Sequence, residues 1–132
     1  MTIYTARITA SANSIASQEI ELEGYAITHV EVLFPPGCLG LVGVSFFYGV
    51  KQIFPYQEGT DLRGSGETIA WDEYWVLPEE RTKVKVVVNN EDDTYPHTIY
   101  IRIVVKKKKE LLSEQITNSF ISILKRLFGY VT

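Results

Sequence analysis

Apolar residues recur at about every second position through the first three quarters of the chain, and then the period changes. A two-residue period is that of a strand with one buried face, because successive side chains point to opposite sides. Residues 82–88 give the clearest case, with Val84, Val86 and Val88 set against Lys83 and Lys85. Residues 97–105 set Ile99, Ile101, Ile103 and Val105 against Thr98, Tyr100 and Arg102. Residues 18–23 place Ile20 and Leu22 opposite Glu19, Glu21 and Glu23. Residues 26–34 place Val30, Val32 and Phe34 opposite His29 and Glu31, and Pro35-Pro36-Gly37 stops that run. Looser patterns predict strands over 2–10, 41–48, 50–54 and 68–77. Loops are expected at 11–17, around Gly49, across the glycine-rich 58–67 and in the acidic turn 89–96.

The pattern amounts to about eight short strands spaced by roughly 8–12 residues, with turn residues between them and no βαβ alternation. It predicts a mainly β chain, an antiparallel sandwich of jelly-roll type, over residues 1–105. Residues 41–48 are apolar on both sides, as in a strand covered on both faces, and Gly40 and Gly43 there point to a bulge or close packing.

After Val105 come Lys106, Lys107, Lys108 and Lys109, and from 110 to 128 the apolar period becomes helical. At 100° per residue Leu112, Ile116, Phe120, Ile123, Leu124 and Leu127 share one broad face, with Ile121 and Phe128 at its edge. Glu114, Gln115, Asn118, Ser119, Ser122, Lys125 and Arg126 lie opposite. Lys125 and Arg126 suit the C-terminal end of a helix dipole, and Gly129 suits its C-cap. Residues 106–132 thus read as a second segment, a basic hinge and a C-terminal amphipathic α-helix. Its apolar face is too large to leave wet. Three destinations are open: the chain's own sandwich, a neighbouring subunit or partner groove, or a membrane surface aided by the four lysines. As an electrostatic contact those lysines would give salt-sensitive binding.

Composition narrows the classes. With 132 residues the chain suits one domain with one core, and a net charge of −3 speaks against a dedicated polyanion binder. Nucleic acid is not expected, since the lysine run lacks interleaved aromatics and a wider basic stripe. The single cysteine, Cys38, permits no intrachain disulfide and suits a reducing compartment or a protein that does not depend on crosslinks. The first residues carry no basic-then-apolar leader, so synthesis in the cytoplasm without a signal peptide is expected.

Candidate chemistry is sparse. His29 and His97 are the only histidines and have no zinc-type spacing with Cys38. His29 reads as a surface or interface residue, His97 as a group satisfying loop backbone, and Cys38 as a packing residue. Gly64-Ser65-Gly66 lacks the lysine and helix of a phosphate loop. No acid, base and nucleophile set can be named, so no enzyme and no cofactor is expected. Trp71, Tyr74 and Trp75 offer an alternative as the platform of a carbohydrate-binding, lectin-like module, with Asp92 and Asp93 as possible calcium ligands. Alternation puts Trp71 and Trp75 on one face, where a pair of core rings is the competing explanation.

Three stretches carry a family likeness: Val30-Glu31-Val32-Leu33-Phe34-Pro35-Pro36-Gly37, then Gln52-Ile53-Phe54-Pro55-Tyr56, then Asn90-Glu91-Asp92-Asp93-Thr94-Tyr95-Pro96-His97-Thr98. In this order they resemble small β-sandwich virion structural proteins of tailed phages and archaeal viruses. The likeness covers roughly residues 27–105 and leaves the helix outside it. It implies a virion component: a capsid decoration protein, a head–tail adaptor or a fibre module. It also implies self-association, with a trimer as the family's analogue, or attachment to a larger protein particle.

Overall fold

The computed structural model describes residues 1–127. Nine strands precede one helix: β1 (Thr2–Ala10), β2 (Ser14–Glu23), β3 (Ala26–Phe34), β4 (Val42–Tyr48), β5 (Lys51–Phe54), β6 (Leu62–Arg63), β7 (Glu67–Val76), β8 (Arg81–Asn90), β9 (His97–Lys106) and α1 (Lys108–Leu127). The expected helix end at Phe128 and Gly129 lies outside the described residues.

Set the two-residue β6 aside, and the antiparallel pairing is nested. β1 pairs with β9, β2 with β8, β3 with β7 and β4 with β5. The chain is therefore one long hairpin rolled over on itself. Rolling makes two sheets, ordered β1-β9-β3-β7 and β2-β8-β4-β5, with β6 against β4. This is the eight-stranded jelly roll, an antiparallel sandwich with one helix after it.

Inward residues of both sheets fill the space between them. Val30, Val32 and Phe34 of β3 and Ile99, Ile101 and Ile103 of β9 meet Val42, Val44 and Phe46 of β4 and Val84, Val86 and Val88 of β8, all essentially without solvent contact. The outer side of β4 is covered in part by a loop. A Cβ at Gly43 would stand 2.0 Å from Asp61 Oδ2, so glycine is what lets the loop close on this strand.

Several boundaries differ from the sequence expectation, each because a distant partner overrides local preference. β2 starts at Ser14, since Ser14 to Ser17 pair with Asn90 to Val87 of β8. The turn before it is only three residues long and uses Asn13 at φ 52°, a conformation in which asparagine is enriched. β8 runs on to Asn90, whose buried Nδ2 donates to the carbonyls of Ala10, Ser11 and Tyr95. The loop after β5 is also held. Gln52 Nε2 donates to the carbonyls of Pro55, Gln57 and Thr60, and Arg63 binds both Asp61 and Glu91.

The expected four-lysine hinge is shortened to one residue. Lys106 ends β9, in register with Ala26, and Tyr25 N–H donates to its carbonyl at 3.0 Å. Lys108 and Lys109 already belong to α1, so Lys107 alone links sheet to helix.

The packing predicts a large cost for Phe46→Ala. The ring is fully buried and meets Phe54 and Trp71 edge-on, so truncation leaves a cavity between the sheets. A loss of about 3–5 kcal/mol is expected in urea unfolding. A loss under about 1 kcal/mol would mean that the sheets collapse onto the gap.

Candidate assembly surface

The first turn of α1 is held by carboxylates. Lys108 and Lys109 oppose the positive end of the helix dipole, and Glu110 offsets them. Lys107 N–H donates to Glu110 Oε1 at 3.2 Å, the glutamate half of a capping box. Glu110 also pairs with the Met1 ammonium, and that contact, followed by the Lys107 N–H, holds its carboxyl below the usual range. Lys106 reaches Glu114 one turn on. Lys108 Nζ stands 5.7 Å from the centre of the Tyr25 ring. Of the four lysines proposed as one electrostatic contact, Lys106 and Lys108 are thus engaged within the chain, while Lys107 and Lys109 are exposed.

Beyond this clasp the helix leaves the body. Every residue from Leu112 to Leu127 is exposed, including Leu112, Ile116, Phe120, Ile123, Leu124 and Leu127. Phe120 is 61% and Leu127 72% exposed, far from the values of core side chains. The direction of the stripe matters as much as its exposure. Glu110, Leu111 and Glu114 face the sandwich, and the centre of the apolar stripe lies about 150° around the helix from them at 3.6 residues per turn. Packing in cis, one of the three destinations read from the sequence, is not found in this arrangement because the stripe faces away from the chain's own sheets.

The aromatic platform does not assemble as three rings. Trp71 and Trp75 share a face of β7, as alternation predicts, and both turn inward. Trp71 meets Phe46 and Phe54 edge-on, and Trp75 meets Tyr48 and Phe54. Tyr74 stands on the outer face, beside a cleft of about 500 Å³ under the helix base that Leu111 and Lys106 also line. The two tryptophans close the open edge of the sandwich between β5 and β7.

The acidic turn spends its oxygens internally. Asp92 Oδ1 accepts from the Thr94 and Tyr95 backbone N–H groups at 2.9 and 3.3 Å, and Asp92 Oδ2 accepts from His97 Nε2 at 2.8 Å. So His97 does not satisfy loop backbone itself, as the sequence suggested; Asp92 does, and His97 holds Asp92. Asp93 Oδ1 accepts from Thr94 Oγ1. Among the described residues no three His, Cys, Asp or Glu side chains converge as a metal site requires. Cys38 Sγ lies 3.9 Å from His97 Nδ1, which draws a thiol, imidazole and carboxylate into one string. The thiol is fully buried and burial pushes its pKa up, the reverse of an activated nucleophile. His29 sits half-exposed on the outer face of β3, donating from Nδ1 to Asp72 Oδ1 at 2.8 Å.

No family model matches this chain, and no curated protein matches it. Among solved structures, a de novo designed double-stranded β-helix determined by solution NMR is similar at 14% identity, over 76% of this chain and 99% of that one, with a TM-score of 0.38. At that level the likeness carries nothing further, and the fold assignment rests on the strand pairing above.

The Asp92 arrangement predicts an acid-side stability change. The His97 hydrogen bond, then the Thr94 N–H, lower the Asp92 pKa in the folded state. A lowered carboxylate pKa contributes stability above the unfolded value of about 3.9, and that stability is lost as pH falls through the folded value. Urea midpoints should therefore fall between pH 7 and pH 3, and Asp92→Asn should lower the midpoint at pH 7 while shrinking this fall. An unchanged fall in Asp92→Asn would place the acid sensitivity elsewhere, with Glu91 beside Arg63 as the next group to test.

Proposed function

We propose that this protein is a non-enzymatic structural subunit, a jelly-roll body joined through the α1 stripe to copies of itself or to a larger protein particle. One observation carries the reading: the body buries a complete core, while the stripe from Leu112 to Leu127 stands exposed and turned away from it. Six such side chains are worth about 1.5–3 kcal/mol each on full burial. Association costs about 4–15 kcal/mol in lost freedom. The stripe can meet that cost only if most of it is covered, which favours a shaped protein partner over a grazing contact.

The virion assignment draws on the resemblance in residues 27–105 and on the fold class. Jelly rolls serve as capsid proteins, lectins and cupins alike, so the fold by itself does not choose among them. The lectin-like alternative has lost its three-ring platform, since Trp71 and Trp75 face inward and Tyr74 outward. The polar side of α1 carries Glu114, Gln115 and Asn118 beside Lys125 and Arg126, a mixed surface unlike the basic face of a membrane-surface helix. Among the described residues no helix is long and apolar enough to cross a membrane.

A chain ending at Lys107 tests the division of labour. It should keep its sheet signal and a cooperative urea transition within about 1 kcal/mol of the full chain, since no described residue of α1 is buried and its contacts with the body are confined to the first turns. Unfolding of the shortened chain would make α1 part of the core and end the assembly reading. For the virion assignment, mass spectrometry of purified particles should detect the protein at a fixed ratio to the shell subunit.

A further inference from the structure

We infer that the open edge of β2 receives an extended basic peptide, one with lysine or arginine at every second position, as an added strand of the second sheet. The inference does not rest on the stripe of α1, and it gives the body an interaction surface of its own.

The direction of the β2 backbone is the first observation. β2 is the outermost strand of its sheet and pairs with β8 without a register shift, from Ser14 opposite Asn90 to Glu23 opposite Arg81. Glu23 N–H donates to the Tyr4 hydroxyl at 3.0 Å, on the side away from β8. The next N–H, of Gly24, turns back to the Glu80 carbonyl. Strand backbone alternates, so the N–H and C=O groups of Ile15, Ser17, Glu19 and Glu21 point to the open side as those of Glu23 do. Tyr4 satisfies Glu23, and among the described residues no strand or side chain does the same for the other four. Gln18 shows that the edge is uncovered at its middle. Its register opposite the core residue Val86 turns it to the inner side, and it is exposed all the same.

The other edges are shielded or give no choice of partner. β5 is four residues long and ends at Pro55. β7 shifts register opposite Ile27 and His29, and the Glu73 carboxylate takes the Tyr74 N–H there. Short length, irregular register and an inward charge are common protections of a sheet edge. β1 bears a single charge, Arg7. β2 has ten residues with no proline, glycine or lysine among them.

Charge chooses the occupant. Glu19, Glu21 and Glu23 stand in one column on the outer face, and β2 carries no cation. Across the ladder they face Lys85, Lys83 and Arg81, so β8 already displays the pattern that suits this column. Glu19 and Glu21 make no ion pair among the described residues. Arg81 reaches Glu23 at 3.9 Å, and Lys85 lies over the Phe47 ring. In an antiparallel added strand, the residue opposite Glu19 or Glu21 exchanges both backbone hydrogen bonds with it, at a Cα separation of about 5.5 Å. Its side chain falls on the same face, so alternate lysines or arginines land beside the two carboxylates. The β2 of a second copy laid there would set glutamate beside glutamate, which opposes self-pairing.

The test uses the full chain and a peptide blocked at both ends, Thr-Lys-Val-Lys-Val-Lys-Thr. In NMR, amide hydrogen exchange of the protein alone should be fast at Ile15, Ser17, Glu19 and Glu21 and slow at Ile20 and Leu22. The peptide should slow the first four and leave the β1 and β7 amides unchanged. Calorimetric binding should weaken about tenfold in the Glu19→Gln, Glu21→Gln double variant, which loses two cross-strand charge pairs, and should weaken as NaCl rises. N-methylation of the peptide lysines removes the N–H groups that face β2 and should abolish binding, whereas N-methylation of its valines should preserve it. That comparison leaves the protein unaltered, so a misfolded variant cannot imitate the result. No binding at millimolar peptide, equal binding of the two methylated peptides, or equal binding of the isomer Thr-Val-Val-Lys-Lys-Lys-Thr would each overturn the inference. Protection that appears on β1 or β7 in place of β2 would overturn it as well.

Discussion

The parity of β9 is the constraint on which the rest depends. This strand lies between β1 and β3 and sends Ile99, Ile101, Ile103 and Val105 into the core. Its alternate residues, Tyr100, Arg102, Val104 and Lys106, then face outward by necessity. Because Lys106 faces outward, its ammonium is available on the outer side of the sheet to meet Glu114. Because only Lys107 intervenes before the helix, the exit of β9 orients α1, with the Lys106–Glu114 and Met1–Glu110 pairs holding its first turns. A slip of one residue in β9 would bury Lys106 and expose the four core side chains, so the register is strongly held. The direction of the apolar stripe is thus inherited from the burial of three isoleucines and a valine.

Rigidity in the body comes from a second set of contacts, two buried amides that bind loop backbone and one half-exposed arginine paired with carboxylates. Asn90 joins the β1–β2 turn to the β8–β9 turn, Gln52 gathers the loop after β5, and Arg63 fastens that loop to Glu91. Each such hydrogen bond adds about 1 kcal/mol net, and leaving one buried partner unmet costs about 1–3 kcal/mol. The asymmetry explains why these loops hold one conformation although their composition is glycine-rich and acidic. A body fixed in this way gives the helix a rigid base.

The sheets were legible in the sequence because one face of each strand is apolar, and alternation reports that directly. β8 and β9 were readable almost to their ends. Legibility failed where a partner far along the chain decides. Ser14 to Ser17 carry no strand signal, and only Val87, Val88, Asn89 and Asn90 across the ladder make them a strand. Asn90 looked like turn material because a buried asparagine is recognised by its acceptors, and those lie eighty residues away and nearby at once. For the candidate site, the stripe on α1 was plain from periodicity. Its direction was not, since that depends on the parity of β9 and on a single linking residue. Trp71 and Trp75 were placed on one face correctly, but period alone does not tell an inner face from an outer one at a sheet edge.

A jelly roll filled to its centre with Val, Ile and Phe places its chemistry on the outside, and among the described residues the stripe of α1 is a large apolar feature there. The composition of that feature bears on how it works. Ile116, Thr117, Ile121 and Ile123 are β-branched, and Ser113, Asn118, Ser119 and Ser122 also rank low as helix formers. A helix of about 20 residues with such content is marginal in water by itself. Its propensity terms weigh against it, and its i to i+4 contacts add only tenths of a kcal/mol. What remains is packing of the stripe, which exists only when the stripe is covered. On the proposed assembly, folding of α1 and association would therefore be one equilibrium, linked through the same six side chains. In that assembly the body folds without waiting for a partner, while the stripe of α1 gains its packing only when it is covered.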